Sequence, residues 1–552
     1  MKISTQKIEI IINTLEKTTI SFPLWIGAFL SIIFFRILIE NWLGNFAYRD
    51  VQFLFSEFTH TFLFFLFSYG LFLFLLSIAT RQKITSVASI VLWGFLIILS
   101  PPILDFFISQ GKGFWSFYQF DSLQGLLQRF FTFFGDSPTL GITYGVRIEV
   151  ALSLLFFAVY VYVKTKKIFR TFAMTFFAYV LFFILGTFPS WITIAILGLS
   201  KGFMEVTSVD IAGMFLSPET SLSYTPGSIM NTLNVKMSII YAIILMHVIP
   251  FFLFLVNKEK MIKILSNIRW PQTLYHAGLV YVGAGIAILF SPQSLTHFTL
   301  FNVLSLIILT YCAIVAWATS VVSNDFFDEP IDTITNPHRP LVEKTITKSA
   351  YKQLGWTLFF ASLLLAGIAH PYGIALIMVY HALTWLYNAP PFRLKQFPFI
   401  ATFLGSLASF LILLLGYVAF DASKTTVHIP WEIITLLLFS YTITLPLKDL
   451  KDIKGDKKMN IFTLPVLLGE KKARLIIASG VFFSFVLSVY VLNAKNLIFV
   501  ALLFGSLCFY LISTKKLSFF RVRITPRNLP GILIGLVFLY TLLLFLQIAK
   551  IL

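Results

Sequence analysis

The segment TLFNVLSLIILTYCAIVAWATSVV (299–322) is followed at once by SNDFFDEPIDTITNPHRPL (323–341). The first stretch carries no charged residue and can cross the hydrocarbon core of a bilayer, which takes about 20 apolar residues in a helix. The second stretch holds Asn324, Asp328 and Asp332, whose spacing of four places them on one face of a continuing helix. An apolar span that ends in a row of oxygen ligands predicts a membrane helix with a polar site at its end.

Similar apolar runs recur along the whole chain of 552 residues. Hydrophobic residues make up 58% of it, charged residues only 12%, and the mean hydropathy is +0.87. Soluble domains are nearer 45–50% apolar and about 25% charged. The composition therefore excludes a soluble enzyme, a disordered chain and a fibrous repeat, and it predicts an all-α, polytopic integral membrane protein.

Fifteen apolar spans can be placed, in two groups separated by the basic stretch 257–270. The first group has six spans, at about 22–42, 59–79, 85–107, 147–163, 171–198 and 237–256. The second group has nine, at about 272–290, 299–322, 353–369, 373–387, 397–420, 431–447, 475–492, 497–512 and 531–549. We therefore expect a six-span domain over 1–256, a basic cytoplasmic linker over 257–270 and a second membrane domain over 271–552.

The basic residues test this span count in the second group. The formal net charge of the chain is +18, and in a membrane protein basic residues mark cytoplasmic loops rather than a nucleic-acid site. The loops predicted to share one face contain 23 Lys and Arg residues, and the opposite loops contain three. The first set is expected to be cytoplasmic, in a plasma or inner membrane, and it includes the acidic segment 323–341.

A second acidic cluster lies in LKDLKDIKGDKKMNIFTLPVLLGEKKAR (447–474), at the end of the sixth span of this group. Asp449, Asp452 and Asp456 have spacings of three and four, so they also share a helical side. The span count puts both clusters on the same face of the membrane. Either cluster alone could be a solvated acidic loop. Two acidic clusters on the same face of the membrane favour a shared binding site.

Two facing rows of carboxylates suit a hard divalent cation such as Mg²⁺, which prefers oxygen ligands and bridges to phosphates. The Lys and Arg residues interleaved with them suit a phosphate-bearing substrate. An apolar bundle beside such a site can hold a long hydrocarbon tail. The residues alone therefore suggest a prenyl diphosphate whose head binds at the cytoplasmic face.

Four motifs in order resemble the UbiA superfamily of intramembrane prenyltransferases, over about residues 266–552. NDFFDEPID (324–332) is similar to the NDxxDxxxD of that family, and NPHRPL (336–341) to its NPxRPL. YNAPPFRLK (387–395) resembles its YSxPPxRLK segment, and KDLKDIKGDKKMNIFTLPVLLG (448–469) resembles its DxxDxxxD followed by TLPxxxG. The resemblance implies a ring of nine helices around a lipid-filled cavity. Residues 1–256 resemble no family that we recognise.

The resemblance also implies roles for individual residues. Two Mg²⁺ ions are expected, one held by Asn324, Asp328 and Asp332, and the other by Asp449, Asp452 and Asp456. The expected substrate-binding residues are Asn336, Arg339, Arg393, Lys395 and Lys448. The residues expected to act in catalysis are Asp328, Tyr387, Lys395 and Asp452. Arg269 resembles the Arg-Pro that opens the first helix of the family, and Val342–Lys344 and Asn388 depart from the usual pattern.

The expected activity is Mg²⁺-dependent transfer of a polyprenyl group from its diphosphate to a lipophilic acceptor. An aromatic, quinone-precursor-like acceptor is favoured because it is the commonest in the family. A glycerol phosphate backbone, as in ether-lipid synthesis, is the alternative, and a terpene cyclase or a lipid-binding or transport protein on the same fold is another. The expected partners are the two substrates and the bilayer, without nucleic acid; no protein partner is assigned to residues 1–256.

Overall fold

A computed structural model of the chain describes most of its residues. The described residues are 2–18, 20–44, 51–111, 116–135, 141–218, 229–290, 299–420, 429–451, 453–458, 461–514, 517–519, 522–524 and 528–548. Contacts divide them into two compact units. Unit 1 holds the described residues up to Tyr241, and unit 2 begins at Ala242. This division lies within a helix, Ile229–Val256, whereas the boundary expected from the sequence is at residue 256.

Unit 1 is built from helices. They are α1 (Lys2–Lys17), α2 (Phe22–Leu43), α3 (Val51–Thr80), α4 (Ile84–Gly94), α5 (Ser100–Ile108), α6 (Leu123–Phe131), α7 (Tyr144–Thr165), α8 (Ile168–Gly186), α9 (Phe188–Lys201), α10 (Ser208–Leu216) and the first part of α11 (Ile229–Val256). A 3₁₀ turn, Phe95–Leu99, joins α4 to α5. In one aromatic cluster of the unit 1 core, the rings of Phe29, Tyr69 and Phe95 pack against one another.

One predicted span of the first group is two helices. The apolar run 171–198 breaks at Thr187, where α8 has ended and α9 is about to begin. Pro189 lies in the first turn of α9, where its missing N–H costs nothing but where it cannot extend the preceding helix. The amide of Thr187 closes α8 through a 3.1 Å hydrogen bond to the carbonyl of Phe183. Hydropathy does not detect the break because both sides are equally apolar.

Unit 2 contains the remaining helices and one small hairpin. They are the rest of α11, then α12 (Lys258–Ser266), α13 (Trp270–Phe290), α14 (Leu300–Phe327), α15 (Glu329–Thr335), α16 (Lys348–Ala369), α17 (Pro371–Asn388), α18 (Pro398–Phe420), α19 (Trp431–Thr444), α20 (Ile453–Lys458), α21 (Leu464–Leu468), α22 (Glu470–Val491), α23 (Ile498–Ser513) and α24 (Leu529–Ile548). Strands β1 (Leu517–Phe519) and β2 (Val522–Ile524) pair antiparallel in the loop before α24. Its described residues also form three 3₁₀ turns, at Leu394–Gln396, Leu445–Lys451 and Lys495–Leu497.

The helices α13 and α18 touch backbone to backbone. A Cβ atom on Gly283 would lie 1.9 Å from the carbonyl oxygen of Leu413, and one on Gly416 would lie 1.9 Å from that of Val280. Neither distance can accommodate a carbon atom, so the crossing requires glycine on both helices. Small residues allow such close approach in membrane bundles, where dispersion contacts rather than water exclusion hold helices together.

The predicted all-α, polytopic membrane fold is confirmed. In the described part of the chain, fourteen helical stretches are long and apolar enough to cross a membrane. Among the described helices of unit 2, nine correspond to the nine spans expected there: α13, α14, α16, α17, α18, α19, α22, α23 and α24. Only α17 is not one of the fourteen, because its 18 residues include His381 and several other polar residues.

Candidate active site

Asp325, at the end of α14, accepts hydrogen bonds from four side chains. Its side chain is 1% exposed and accepts hydrogen bonds from Arg269 at 2.8 Å, from Arg339, from Asn267 at 2.5 Å and from the Tyr351 hydroxyl at 2.9 Å. A buried carboxylate is costly unless charges and donors compensate it, and two guanidinium groups do so here. The arrangement ties the segment before α13, the end of α14 and the loop after α15 to one carboxylate.

Asp325 is not among the site residues predicted from the sequence. The spacing of four drew attention to Asn324, Asp328 and Asp332, and on a helix the residue beside Asn324 points about 100° away from that row. A signal was nonetheless available, since a carboxylate at the end of an apolar helix is expected to be paired. Its partner Arg269 has a left-handed backbone, φ 61°, and also donates to the Asn324 side chain at 2.8 Å.

Asp328 lies at the junction of α14 and α15 and collects three side chains. Arg393 donates to its carboxylate at 3.0 Å, the Nζ of Lys395 contacts both carboxylate oxygens, and the amide of Asn324 donates at 2.7 Å. The Asn324 amide also donates to Asn388 at 3.0 Å, which gives the residue that departs from the usual Ser a direct place in the site. Pro330 in the first turn of α15 helps the chain to bend at Asp328.

Lys395 reaches Asp328 from the 3₁₀ turn Leu394–Gln396. The preceding residue, Arg393, has a left-handed backbone with φ 40°, and this turns the chain so that both side chains point to one carboxylate. Lys395 is 6% exposed, and this burial lowers its pKa although the charge of Asp328 acts in the opposite direction. A cation held in so dry a place is available to a second anion at little desolvation cost.

Asp332 and Asn336 follow on the next turns of the same segment. Arg339 lies 2.8 Å from Asp332, and the Asn336 amide donates to it at 3.0 Å. Burial raises the pKa of Asp332 to about 6, more than the charge of Arg339 lowers it. Arg339 therefore bridges Asp325 and Asp332, which links the two carboxylates that flank Asp328.

The second acidic segment meets the first, because helix α15 packs against helix α20. Asp456 on α20 is buried, and the Thr463 hydroxyl donates to it at 3.4 Å. Asp449 is half-buried in the turn Leu445–Lys451, and Asp452 lies outside the described residues. The two acidic rows therefore share one end of unit 2, as the span count requires.

Lys448 and Tyr387 form a separate pair at this end. The Nζ of Lys448 donates to the Tyr387 hydroxyl at 2.9 Å and lies 4.8 Å from the centre of its ring. Tyr387 is on the last turn of α17, six residues before Arg393. The pair places one more cation, with a phenol beside it, among the predicted site residues.

The donor set suits Mg²⁺. Asn324, Asp328 and Asp332 offer hard oxygen atoms, and the carboxylates are buried beside cations that balance their charge. Within the described part of the chain, no three His, Cys, Asp or Glu side chains are already gathered in metal-binding positions. The residues thus fit Mg²⁺ by the chemistry of their oxygen atoms and by their location. The two predicted sets of Mg²⁺ ligands stay predictions.

These features define a membrane-embedded helical bundle with a charged, buried site at one end. Residues 278–542 match the UbiA prenyltransferase family. This part of the chain is therefore a domain of the UbiA prenyltransferase family, as expected from the motifs. No family model matches the N-terminal region.

The chain shares less than a third of its residues with each of the following relatives. The chain is 29% identical to "Digeranylgeranylglyceryl phosphate synthase" of Pyrococcus horikoshii, over 28% of this chain and 53% of that protein. It is 29% identical to "Chlorophyll synthase, chloroplastic" of Arabidopsis thaliana, over 29% and 42%. The chain thus spans about half the length of these curated relatives. A UbiA homolog from Archaeoglobus fulgidus bound to DMAPP and Mg²⁺ is 17% identical, over 50% of this chain and 98% of that one, with a TM-score of 0.39.

Proposed function

We propose that the C-terminal domain is a Mg²⁺-dependent prenyltransferase, which moves a polyprenyl group from its diphosphate to a lipophilic acceptor. The observation that carries the proposal is the buried group of Asp328 with Arg393 and Lys395, next to Asp332 with Arg339. Cations and carboxylates are present together, in a dry site at the end of an apolar bundle. A protein that only bound a neutral lipid would not need them.

The proposed roles follow from these contacts. Asn324, Asp328 and Asp332 would hold one Mg²⁺, and Asp449, Asp452 and Asp456 would hold the other; bound there, Mg²⁺ would supply positive charge for the departing diphosphate. Lys395 and Arg393, now engaged with Asp328, turn to the diphosphate oxygens, and Lys448, Arg339 and Asn336 add donors at the rim. Tyr387 keeps Lys448 in place through its hydroxyl.

The reaction begins when the C–O bond between the prenyl group and its diphosphate breaks and the electron pair leaves with the diphosphate. The allylic cation is then captured by a nucleophilic atom of the acceptor, which loses a proton. Buried positively charged groups aimed at the leaving oxygen favour this charge separation. The apolar helices keep water from capturing the cation first.

We propose an aromatic, quinone-precursor-like acceptor, with a glycerol phosphate-type acceptor as the second candidate. Similarity to a digeranylgeranylglyceryl phosphate synthase supports the second acceptor, and the similar chlorophyll synthase is a relative with a different name and so a different product. The described contacts favour neither acceptor.

The same proposal includes the setting of the enzyme. The 23 to 3 asymmetry of basic residues supports an active site that faces the cytoplasm, in a plasma or inner membrane. We propose a division of labour at the basic stretch 257–270, with catalysis over 271–552 and an accessory role for 1–256.

The test is an assay of the purified full chain with Mg²⁺, radiolabelled geranylgeranyl diphosphate and either 4-hydroxybenzoate or geranylgeranylglyceryl phosphate. A labelled conjugate that requires Mg²⁺ and is lost in Asp328→Asn supports the proposal, and its mass identifies the acceptor. Glu9→Gln is the matched control, since it changes a carboxylate to an amide in an exposed pair with Lys166.

Two outcomes contradict the transferase. Release of diphosphate with a hydrocarbon or terpene alcohol as product identifies a cyclase. Full conjugate formation in Asp328→Asn means that the carboxylate is not part of the machinery.

A further inference from the structure

Unit 1 contains a cavity of about 300 Å³ that is unrelated to the acidic motifs. It follows α3 from Glu57 to Leu76, a length of roughly 28 Å at about 1.5 Å per helical residue. That length is close to the hydrocarbon thickness of a bilayer, about 30 Å. A cavity of this length can hold one extended hydrocarbon chain.

The two ends of the cavity differ in chemistry. Toward Leu76 the lining is apolar and aromatic, with Ile90, Phe157 and Phe182 among its residues. Toward Glu57 it is lined by polar side chains from five segments of unit 1: Arg36, Glu40, His60, Ser116, Glu149 and Asn234. A long apolar channel with a polar end is the form of a site for an amphipathic molecule.

Most of the polar groups at this end already have partners. The Ser116 hydroxyl donates to Glu40 at 3.1 Å and accepts from Arg36 at 3.3 Å. The Asn41 amide donates to Glu57 at 3.2 Å, and the His60 ring lies 2.7 Å from the Tyr118 hydroxyl. These contacts hold the polar end in shape without a ligand.

Two charged side chains at this end keep unused hydrogen-bonding capacity, and they are complementary. The Nε–H of Arg36 is buried and forms no hydrogen bond with a described atom, although Nε lies 3.8 Å from a carboxylate oxygen of Glu40 in an ion pair. Glu149 accepts no hydrogen bond from the described residues, although the charges of Arg36 and Glu40 both act on it. One free donor beside one free acceptor matches a hydroxyl group, which can accept from Arg36 and donate to Glu149.

Other head groups match less well. A phosphate cannot donate to Glu149, and it would lie among three described carboxylates, Glu40, Glu57 and Glu149, with a single guanidinium. An ammonium head can donate to Glu149 but has no lone pair with which to accept from Arg36. The pairing of donor and acceptor, rather than the net charge of this end, therefore favours a hydroxyl-bearing head.

We propose that unit 1 binds a single-chain lipid with an uncharged, hydroxyl-bearing head, placed between Arg36 and Glu149, and with its chain along α3. The site is independent of the metal ligands of unit 2 and of the prenyl transfer proposed there. It gives the N-terminal domain a ligand of its own.

The test uses the full chain in nanodiscs and a photoactivatable monoacylglycerol. Competitors with the same oleoyl or oleyl chain are monooleoylglycerol, oleoyl lysophosphatidate and oleylamine. We expect saturable labelling of peptides from α3 and α7, which monooleoylglycerol displaces at a concentration at least tenfold lower than the two charged competitors. Glu149→Leu removes the free acceptor, so the concentration of monooleoylglycerol needed to displace the probe should rise by about tenfold.

Two variants at adjacent residues distinguish loss of ligand binding in the cavity from loss of the folded protein. Ser153→Phe puts a ring into the cavity lining, whereas Leu152→Phe alters the adjacent residue, which is 37% exposed and does not line the cavity. Labelling should be lost only in Ser153→Phe, with both variants monodisperse and unchanged in prenyl transfer. Equal labelling in Ser153→Phe, absence of saturable labelling in the unaltered protein, or preference for a charged competitor would each overturn the proposal.

Discussion

Replacing Asp325 by Asn tests whether this carboxylate holds the site together. The change keeps the size of the side chain but removes the charge that balances Arg269 and Arg339, and the new amide presents N–H groups where donors already point. Breaking one partner of a buried ion pair costs about 3 to 5 kcal/mol. We expect the free energy of unfolding to fall by about that amount.

Tyr351→Phe gives the second point of a graded series. It removes one hydrogen bond, 2.9 Å long, and leaves both guanidinium groups neutralised. Hydrogen bonds to charged groups contribute about 1.5 to 3 kcal/mol, so the loss should be smaller than in Asp325→Asn. Glu9→Gln, at a pair whose side chains are 44% and 50% exposed, should change stability by less than about 1 kcal/mol.

The assay is reversible unfolding by SDS titration in mixed micelles, followed by tryptophan fluorescence. Asp325→Asn should also reduce prenyl transfer, because Arg269 and Arg339 then lose the anchor that keeps them beside Asn324 and Asp332. The reasoning fails if Asp325→Asn unfolds at the same SDS fraction as the unaltered protein, or if Tyr351→Phe is the more damaging change.

Three further predictions concern packing, chemistry and metal. Gly416→Ala should destabilise the protein by about 1 to 3 kcal/mol because its Cβ has no room beside α13, whereas Gly278→Ala, with nothing within 4 Å, should be neutral or slightly stabilising in the same SDS titration. Lys395→Met should lower kcat of prenyl transfer by about 100-fold or more, and Lys495→Met, at an exposed position, should leave it unchanged; equal rates would remove Lys395 from the machinery. Mg²⁺ at 100 times its Kd should stabilise the protein by about 2.7 kcal/mol, read as a rise in Tm that EDTA reverses. Asp328→Asn should abolish that rise, and a full rise in the variant would contradict the ligand assignment.

The membrane fold could be predicted from sequence because hydropathy and charge act locally. A span needs only its own residues to be recognised, and the basic residues fix the alternation of loops. What hydropathy cannot detect is a change of direction inside an apolar run, as at Thr187, or a span as polar as α17. Both depend on backbone geometry or on neighbouring helices.

The candidate site could be predicted only where its residues are close together in the sequence. Asn324, Asp328 and Asp332 are predicted from their spacing of four, although the single continuing helix expected there is two helices that meet at Asp328. The partners of Asp328 come from 65 and 67 residues further along the chain. The bridging role of Arg339 and the burial of Asp325 depend on how a loop folds back, which spacing does not encode. The cavity of unit 1 is formed by helices far apart in sequence and carries no motif.

The glycine contact between α13 and α18 also limits how a lipid can move. Where two backbones touch at Gly283 and Gly416, no side chain stands between them that could rotate aside as a gate. Opening that seam would mean separating the two long helices themselves. A prenyl chain that leaves the bilayer for the interior of the bundle must therefore enter between other helices, and this seam acts as a fixed wall of the bundle.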